Sequence, residues 1–232
     1  MSKERTAVIG VGQTKYASTR GDVSMAGLLR EAAYRALEMA GKNWSDIDAV
    51  VMGKAPDFFE GVMMPEIYLA EALGCVGKPI MRVHTAGSVG GSTANVAASM
   101  VQSRVHRTVL TIAWEKQSES NAMWALSLPQ PFTTSVNAGA GGYFSPIMRR
   151  YMAMSGAPDL IGCMVALKDR THALNNPYAH LQIPNCQPED VAKTELIAYP
   201  FRYGHICPAS DGASAIVVAS EKVVKQKNAS AA

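Results

Sequence analysis

Residues 83–101 have the pattern of a strand that turns directly into a helix rich in small residues. The sequence VHTAGSVGGSTANVAASMV places glycines at 87, 90 and 91, at the turn itself. Glycine permits tight turning and lets a ligand approach the backbone closely. The first turn of the helix presents free N–H groups and the positive end of the helix dipole. The segment is therefore a candidate oxyanion or anion site, in which Gly90 and Gly91 serve either the turn or a bound substrate.

An alternating pattern of strands and helices positions this turn. Ser24 suits a helix N-cap, and apolar residues at helical spacing follow it until Gly41, which suits a C-cap. The near-continuous apolarity of IDAVVM (47–52) is typical of a parallel strand covered on both faces. The predicted strands are 6–11, 47–52, 80–85, 109–114 and 213–219, and the predicted helices among them are 25–40, 66–73 and 92–102. This βαβαβαβ pattern predicts an α/β fold.

The alternation breaks after Glu115, which indicates an insertion. A polar, Gly-rich stretch reaches Tyr143 and is expected to be a loop. Helices are predicted beyond it at 145–155, 158–175 and 188–193. Pro146 suits the first position of the first of these helices, behind a Ser145 cap. The expected organisation is an α/β core over 1–118, the insertion over 119–205, a return to the core with the last strand over 206–225, and a frayed tail over 226–232.

Composition and charge argue against several classes of protein. The chain has 232 residues, 48% of them hydrophobic and 18% charged, which is typical of a globular fold. A net charge of +3 without a long basic run gives no reason to expect nucleic-acid binding. The four cysteines are too dispersed for a zinc ribbon or a disulfide framework, so buried free thiols and no metal are expected. The start, MSKERTAVIG, lacks a signal-peptide pattern, and we expect a cytoplasmic protein without a membrane span.

Four stretches of the chain resemble the thiolase superfamily, specifically its lipid-transfer or sterol-carrier-protein type thiolases. They are residues 83–101, GKAPDFFEG (53–61), KDRTHALNNPYAH (168–180) and CPASDGASAIVVAS (207–220), of which the last is the more specific. The resemblance implies a thiolase-like N-terminal βαβαβαββ layer with a helical loop-domain insertion, which is the first of the family's two halves. It also implies a role in fatty-acid or steroid side-chain breakdown.

The resemblance assigns a place for a nucleophile, and this chain has no cysteine there. In the family the turn reads Cys-x-x-Gly-x-x-Ala. Matching Gly91 and Ala94 puts Ser88 at the cysteine position, and a slip of one residue puts Gly87 there instead. Because a serine hydroxyl needs an adjacent base to act as a nucleophile, Ser88 is either a small residue of the turn or a catalytic or substrate contact. His84 is either a core or interface histidine, at the end of a strand expected to be buried, or a base.

Further roles follow from the same resemblance. In the family, the histidine base and a second cysteine lie in the C-terminal half, beyond the last residue of this sequence. The loop domain of the family contacts the phosphates of coenzyme A, which implies that Arg149 and Arg150 bind them here, although charged helix faces are commonly just solvated. The coenzyme A thioester is expected as a substrate, and no bound cofactor is expected. The expected partner is a second copy of the chain or a small zinc-ribbon/OB-fold subunit.

Two functions are consistent with the sequence. The first is an acyl-CoA enzyme of lipid or steroid side-chain degradation, an acyltransferase or a retro-aldolase acting on a β-keto- or β-hydroxyacyl-CoA. Without a cysteine, retro-aldol cleavage is favoured because it needs no acyl-enzyme. The second is a non-catalytic, truncated subunit that binds acyl-CoA or lipid. A dinucleotide site at GVGQTK (10–15) is set aside, because a long loop follows it and no acidic residue ends the second strand.

Overall fold

The computed structural model describes residues 5–55, 61–120 and 139–230, and it describes their side chains except at 139–140 and 227–230. The chain forms two compact units. The core unit is Met1–Glu119 with Asp211–Ala232, and the inserted unit is Ser120–Ser210. The predicted insertion ends five residues earlier than this unit (205 against 210). Residues 206–210 therefore belong to the inserted unit and not, as predicted, to the core.

A five-stranded sheet forms the centre of the core unit. Its strands are β1 (Thr6–Gln13), β2 (Ala49–Gly53), β3 (Ile80–Val83), β4 (Thr108–Lys116) and β7 (Asp211–Ser220), in the order β1-β7-β4-β2-β3. Strand β2 is parallel to β3 and β4, while β7 is antiparallel to both β4 and β1. Strands β1 to β4 consequently all end at one edge of the sheet, which we call the carboxyl edge.

Helix α1 (Met25–Ala40) covers one face of the sheet as the sequence predicts. The Ser24 side chain accepts the Gly27 N–H at 3.1 Å, and Gly41 ends the helix in a left-handed conformation with φ 62°. The apolar face of the helix packs against Val50 and Met52 of β2 within the larger of the two apolar clusters. All five residues of β2 are buried, in keeping with a parallel strand covered on both faces. The predicted α/β fold is confirmed.

Helix α2 (Pro65–Tyr68) is shorter than the predicted helix 66–73. The chain continues after Tyr68 through turns, and these turns still bury Leu69 and Leu73 completely. The predicted helix was therefore too long, because successive turns can bury apolar residues as a regular helix does.

Helix α3 (Val89–Gln102) lies on the face of the sheet opposite α1. Ala97 and Val101 of this helix pack against Ala49 and Val51 of β2. Close approach is possible because residue 53 is glycine, since a Cβ atom there would lie only 2.4 Å from Thr93 Cγ2. The missing side chain at Gly53 therefore fixes how near the start of α3 comes to the carboxyl end of β2.

In its described part, the inserted unit contains three α-helices and a small antiparallel sheet. These elements are α4 (Gly139–Ser155), α5 (Ile161–Ala173), α6 (Pro188–Ala192), β5 (Leu196–Ala198) and β6 (Phe201–Arg202). The predicted start of the first helix at Ser145 is wrong, because α4 begins at Gly139 and holds Pro146 in its interior. Ser145 is buried and donates to the Tyr199 carbonyl oxygen at 2.5 Å instead of capping the helix. Packing within the unit, which sequence spacing does not show, decides where this helix begins.

The end of the chain also differs from its prediction. Strand β7 stops at Ser220, and helix α7 (Glu221–Ser230) follows it, stabilised by an ion pair of 3.0 Å between Glu221 and Lys225. The predicted frayed tail is therefore helical up to Ser230, while residues 231–232 lie outside the described part. None of the helices that the structure describes is long and apolar enough to cross a membrane.

Candidate functional site

The carboxyl edge of the sheet is where the predicted site residues lie. Gly53 of β2 pairs with Val83 of β3 on one side and with Ala113 of β4 on the other. The residues that follow Gly53 and Val83 therefore leave the sheet beside each other, next to the last residues of β4 (Trp114–Lys116), on strands about 4.8 Å apart. In open α/β sheets, ligands bind outside the carboxyl ends of the strands. The turn after β3 thus occupies the position expected of a binding site.

The candidate turn, residues 84–91, carries an unusual backbone. A short 3₁₀ turn at Ala86–Ser88 connects β3 to α3, and the Ser88 N–H donates to the Thr85 carbonyl oxygen at 3.2 Å. Ala86 has φ 48°, a left-handed conformation that is rare for a residue with a side chain. Such strained positions are concentrated at functional turns, where the surrounding structure holds them. The strain here is what lets the chain enter α3 directly at Val89.

Ser88 is exposed at the start of α3. Its hydroxyl donates to the Thr85 carbonyl oxygen at 2.8 Å and makes no capping bond to the described helix. A hydroxyl held by a carbonyl oxygen is not activated, because activation needs a base that takes its proton. The geometry therefore gives Ser88 the means to contact a ligand, and its hydroxyl donates to a carbonyl oxygen and not to a base among the described residues.

The glycines of the candidate turn leave open space around the backbone. A Cβ atom added at Gly87, Gly90 or Gly91 would have no described heavy atom within 4 Å. Packing therefore does not require glycine at these positions, in contrast to Gly53. Next to them, the Thr85 hydroxyl donates to the Ser92 hydroxyl at 2.8 Å. Gly90 and Gly91 as substrate contacts stay a prediction, and the structure provides the room that such contacts need.

His84 lies at the start of the candidate turn, and its environment differs from the expected one. The sequence predicted a buried strand end, whereas His84 is exposed. The reason is topological, since β3 is the outermost strand and is paired with β2 alone in the described sheet. A role of His84 as a base stays a prediction, for which the exposed imidazole is sterically available.

Two charged residues at the carboxyl edge were not singled out from the sequence. Lys54, directly after β2, is completely buried, and its Nζ atom lies 2.8 Å from Oε2 of Glu115 near the end of β4. The other carboxylate oxygen of Glu115 accepts the Ala55 N–H at 2.7 Å. The signal that could have found them is the occurrence of ionisable residues immediately after, or at the end of, apolar strands that share an edge.

A buried carboxylate holds the loops further along this edge. Asp211 accepts the backbone N–H of Arg20 at 2.8 Å, the backbone N–H of Ser118 at 2.9 Å and the Ser118 hydroxyl at 2.7 Å. Asp211 is the first residue of β7. From there its carboxylate ties the loops that contain Arg20 and Ser118 to the start of the last strand.

The predicted phosphate-binding residues lie in the inserted unit. Arg149 and Arg150 are exposed on α4, and the Arg149 guanidinium carbon lies 6.0 Å from the centre of the Tyr199 ring. Arg170 is differently placed, because its guanidinium donates to the Gly204 carbonyl oxygen at 2.9 Å and to Cys186. Arg149 and Arg150 are thus accessible to a ligand, and Arg170 has a structural role. Binding of phosphate by the two exposed residues stays a prediction.

The cysteines provide no nucleophile at the candidate turn. Cys75 and Cys163 are buried as expected, while Cys186 is half-buried and Cys207 is exposed, contrary to expectation. Burial raises the pKa of the Cys75 thiol to about 11, against a small lowering by Lys78, so this thiol stays protonated at neutral pH. Among the described side chains, no group of three or more His, Cys, Asp and Glu residues could hold a metal ion.

The fold and the turn together define a thiolase-like protein. No family model matches the chain. It is 29% identical over 232 residues to benzoylsuccinyl-CoA thiolase subunit BbsB of Thauera aromatica, covering 97% of this chain and 58% of the relative. It is 29% identical to 17-hydroxy-3-oxo-4-pregnene-20-carboxyl-CoA lyase of Mycobacterium tuberculosis (95% and 58%) and 26% identical to human sterol carrier protein 2 (96% and 42%).

Solved structures give the same result. The Ltp2-ChsH2(DUF35) aldolase superposes with a TM-score of 0.76 at 26% identity, covering 95% of this chain and 56% of that one. Human mitochondrial 3-ketoacyl-CoA thiolase in complex with CoA superposes with a TM-score of 0.69 at 17% identity (97% and 67%), which shows the fold alone. The chain is thus similar in sequence and fold to proteins of the thiolase superfamily, including those of the sterol carrier protein 2 type. The chain spans little more than half, or less, of the length of the curated relatives compared here.

Proposed function

We propose that this chain takes part in carbon–carbon bond cleavage or formation next to a coenzyme A thioester in lipid or steroid side-chain degradation. The observation that carries the proposal is the open candidate turn, in which exposed glycines and the start of α3 lie at the carboxyl edge of the sheet. Backbone N–H groups aimed at a developing oxyanion are an effective means of stabilising it. Relatives named as a CoA thiolase subunit and a CoA lyase support a thioester substrate.

Retro-aldol cleavage of a β-hydroxyacyl-CoA is the reaction that the turn favours over thiolysis. Thiolysis needs an acyl-enzyme, and Ser88 donates to a carbonyl oxygen rather than to a base. Retro-aldol cleavage needs a base for the β-hydroxyl proton and a site for the enolate oxygen of the thioester. The candidate turn supplies the second, and His84 is the available candidate for the first. The named lyase and aldolase among the relatives and neighbours support this choice.

The inserted unit is proposed to bind the coenzyme A moiety. Arg149 and Arg150 are exposed on one helix, and guanidinium groups bind phosphates with directed, charge-assisted hydrogen bonds. On the adjoining face of α4, Tyr143, Ile147 and Tyr151 are also exposed. An apolar surface beside two cations suits a ligand that combines phosphates with an apolar chain. Coenzyme A is in this proposal a substrate, not a resident cofactor.

We further propose that the chain works in an oligomer. Strand β3 lies at the edge of the sheet, which leaves its outer side available for pairing with a second copy. The neighbouring aldolase structure is named with a second component, ChsH2(DUF35), which supports a hetero-oligomer with a subunit of that kind. The alternative function, a non-catalytic acyl-CoA- or lipid-binding subunit, is favoured by one observation, that the Ser88 hydroxyl donates to the Thr85 carbonyl oxygen.

Mass spectrometry of the acyl-CoA pool tests the proposed reaction. The purified chain, alone and with a DUF35-type subunit, is incubated with a steroid-derived β-hydroxyacyl-CoA. We expect the shortened acyl-CoA to appear, to the same extent with Ser88→Ala, and no mass increase of the intact protein. An acyl adduct that Ser88→Ala abolishes would show covalent catalysis, and binding without any product in either mixture would establish the non-catalytic alternative.

A further inference from the structure

Lys54, the first residue after β2, forms an ion pair with Glu115 that has no part in the proposed chemistry. The Lys54 side chain is 0% exposed and that of Glu115 is 18% exposed, with Nζ and Oε2 2.8 Å apart. The Lys54 ammonium also lies 5.8 Å from the centre of the Trp114 ring, which partly replaces water around the charge. Two ionised groups are thus held almost out of solvent at the carboxyl edge of the sheet.

Stability alone does not account for a pair of this kind. Removing two charges from water is unfavourable, and the attraction between them often only offsets that penalty. Apolar side chains of similar volume at both positions commonly give an equally stable or more stable protein. The Lys54–Glu115 pair is therefore not expected to contribute much to the free energy of unfolding. Its effect is expected on the local geometry of the chain.

The local geometry shows what the pair holds. One oxygen of the Glu115 carboxylate accepts a hydrogen bond from Lys54 Nζ. The other oxygen accepts the Ala55 N–H at 2.7 Å. Both donors belong to the first two residues after β2. Since Gly53 pairs with Val83, these two residues leave β2 at the level where His84 and Thr85 leave β3 for the candidate turn. Glu115 thus fixes the direction in which the chain leaves β2 next to that turn.

We propose that Lys54 and Glu115 form a clamp that positions Lys54 and Ala55, the two residues that follow β2, next to the candidate turn, with Glu115 as a positioning residue for acyl-CoA binding. The role in binding rests on the proposed function, whereas the clamp itself rests on the contacts of Glu115 alone. The clamp acts through geometry, because Lys54 is completely buried and both carboxylate oxygens of Glu115 already accept hydrogen bonds from residues 54 and 55. Loss of the clamp therefore displaces Lys54 and Ala55, which we call the wall of the site, without removing a group that reacts.

The test replaces both charges by apolar side chains of similar size, in the double variant Lys54→Met/Glu115→Leu. Three quantities are measured on the full chain: the melting temperature, the hydrogen-exchange rate of the Ala55 amide, and the dissociation constant of octanoyl-CoA by calorimetry. The matched control is Lys116→Met/Glu119→Leu, which removes a second ion pair at the end of the same strand that does not contact Ala55 in the described structure.

The clamp predicts a specific combination of results. The double variant keeps the melting temperature of the wild type, its Ala55 amide exchanges at least about tenfold faster, and its dissociation constant rises on the order of tenfold because the wall is misplaced. The control variant keeps the wild-type exchange rate and dissociation constant. A double variant that melts far below the wild type, or that binds octanoyl-CoA as tightly, overturns the positioning role.

The same measurements separate this proposal from the proposed function. An unchanged Ala55 exchange rate in the double variant contradicts the clamp, whatever the binding result. If the wild-type chain binds no coenzyme A thioester, the proposed function fails and the role in binding fails with it. In that case, the exchange rate of the Ala55 amide still shows whether Glu115 holds the two residues after β2 in place.

Discussion

The Nε2 atom of His205 lies 3.4 Å from the Sγ atom of Cys163, which joins helix α5 to the short 3₁₀ turn after β6. The Arg202 backbone N–H donates to Nδ1 of the same ring, so the ring proton is on Nε2 and points to the sulfur. A histidine that binds a metal through Nε2 carries its proton on Nδ1. The pair is therefore a structural contact of a neutral imidazole within the inserted unit.

Acid is expected to destabilise the inserted unit through this contact. Burial, followed by the nearby Arg202 and Arg170, lowers the pKa of His205. The unfolded chain, with a histidine pKa of about 6.5, then binds more protons than the folded chain, so stability is complete above that pH and falls as the pH decreases below it. Chemical unfolding between pH 5 and 8 should show a shallower loss for His205→Gln than for the wild type. Equal pH dependence would contradict the role of His205.

The close approach of α3 to β2 should make Gly53 intolerant of a side chain. Gly53→Ala places a Cβ atom 2.4 Å from Thr93 Cγ2 and 3.0 Å from Val89 Cγ2, which is expected to cost about 1–3 kcal/mol of unfolding free energy. The control is Gly87→Ala, whose new Cβ meets no described atom within 4 Å. Urea unfolding that gave the two variants equal stability would show that α3 can shift away from the sheet.

The conformation of Ala86 should make this position tolerant of glycine. Because φ is 48°, Ala86→Gly relieves strain and is expected to leave the unfolding free energy unchanged or to raise it by up to about 1 kcal/mol. In the interior of α3, Ala98→Gly should lower it by about 1 kcal/mol, the helix-propensity difference. Thermal melts of the two variants give the comparison. A loss in Ala86→Gly as large as that in Ala98→Gly would refute a strained turn.

The three hydrogen bonds of Asp211 should make its carboxylate difficult to replace. Asp211→Asn puts an amide donor among three donors from Arg20 and Ser118, with an expected loss of about 1–3 kcal/mol in unfolding free energy. Asp22→Asn serves as the control, because its carboxylate is exposed and bonds the Arg20 side chain and not the loop backbone. Equal stability of Asp211→Asn and the wild type would show that the loops are held by other contacts.

The sequence predicted the core unit better than the inserted unit for a physical reason. Helix α1 has its own signals, a Ser24 cap, an apolar face and Gly41, so its bounds could be read directly. Helix α4 begins at Gly139 against the local preferences of glycine and Pro146, and it packs so closely against β5 that a Cβ atom at Gly141 would lie 3.1 Å from Ile197 Cγ2. Apolar spacing and capping residues in the sequence do not predict contacts between distant segments of the chain.

The candidate site was predicted in part for a similar reason. Ser88, Gly90 and Gly91 lie in one contiguous segment, so the turn could be recognised from spacing alone. The pairing of Lys54 with Glu115 joins residues 61 positions apart, and it depends on β2 and β4 being neighbours in the sheet. The exposure of His84 likewise depends on strand order, since β3 lies at the edge.

The most direct test of the central claim, that the turn before α3 holds a coenzyme A thioester, is the binding of octanoyl-CoA to Gly90→Ala/Gly91→Ala by calorimetry. Both new Cβ atoms enter open space within a helix, so the variant should be as stable as the wild type or more stable, by up to about 1 kcal/mol per site. If the thioester approaches this backbone, the two methyl groups should weaken binding on the order of tenfold or more despite the greater stability. Binding as tight as that of the wild type would contradict the account.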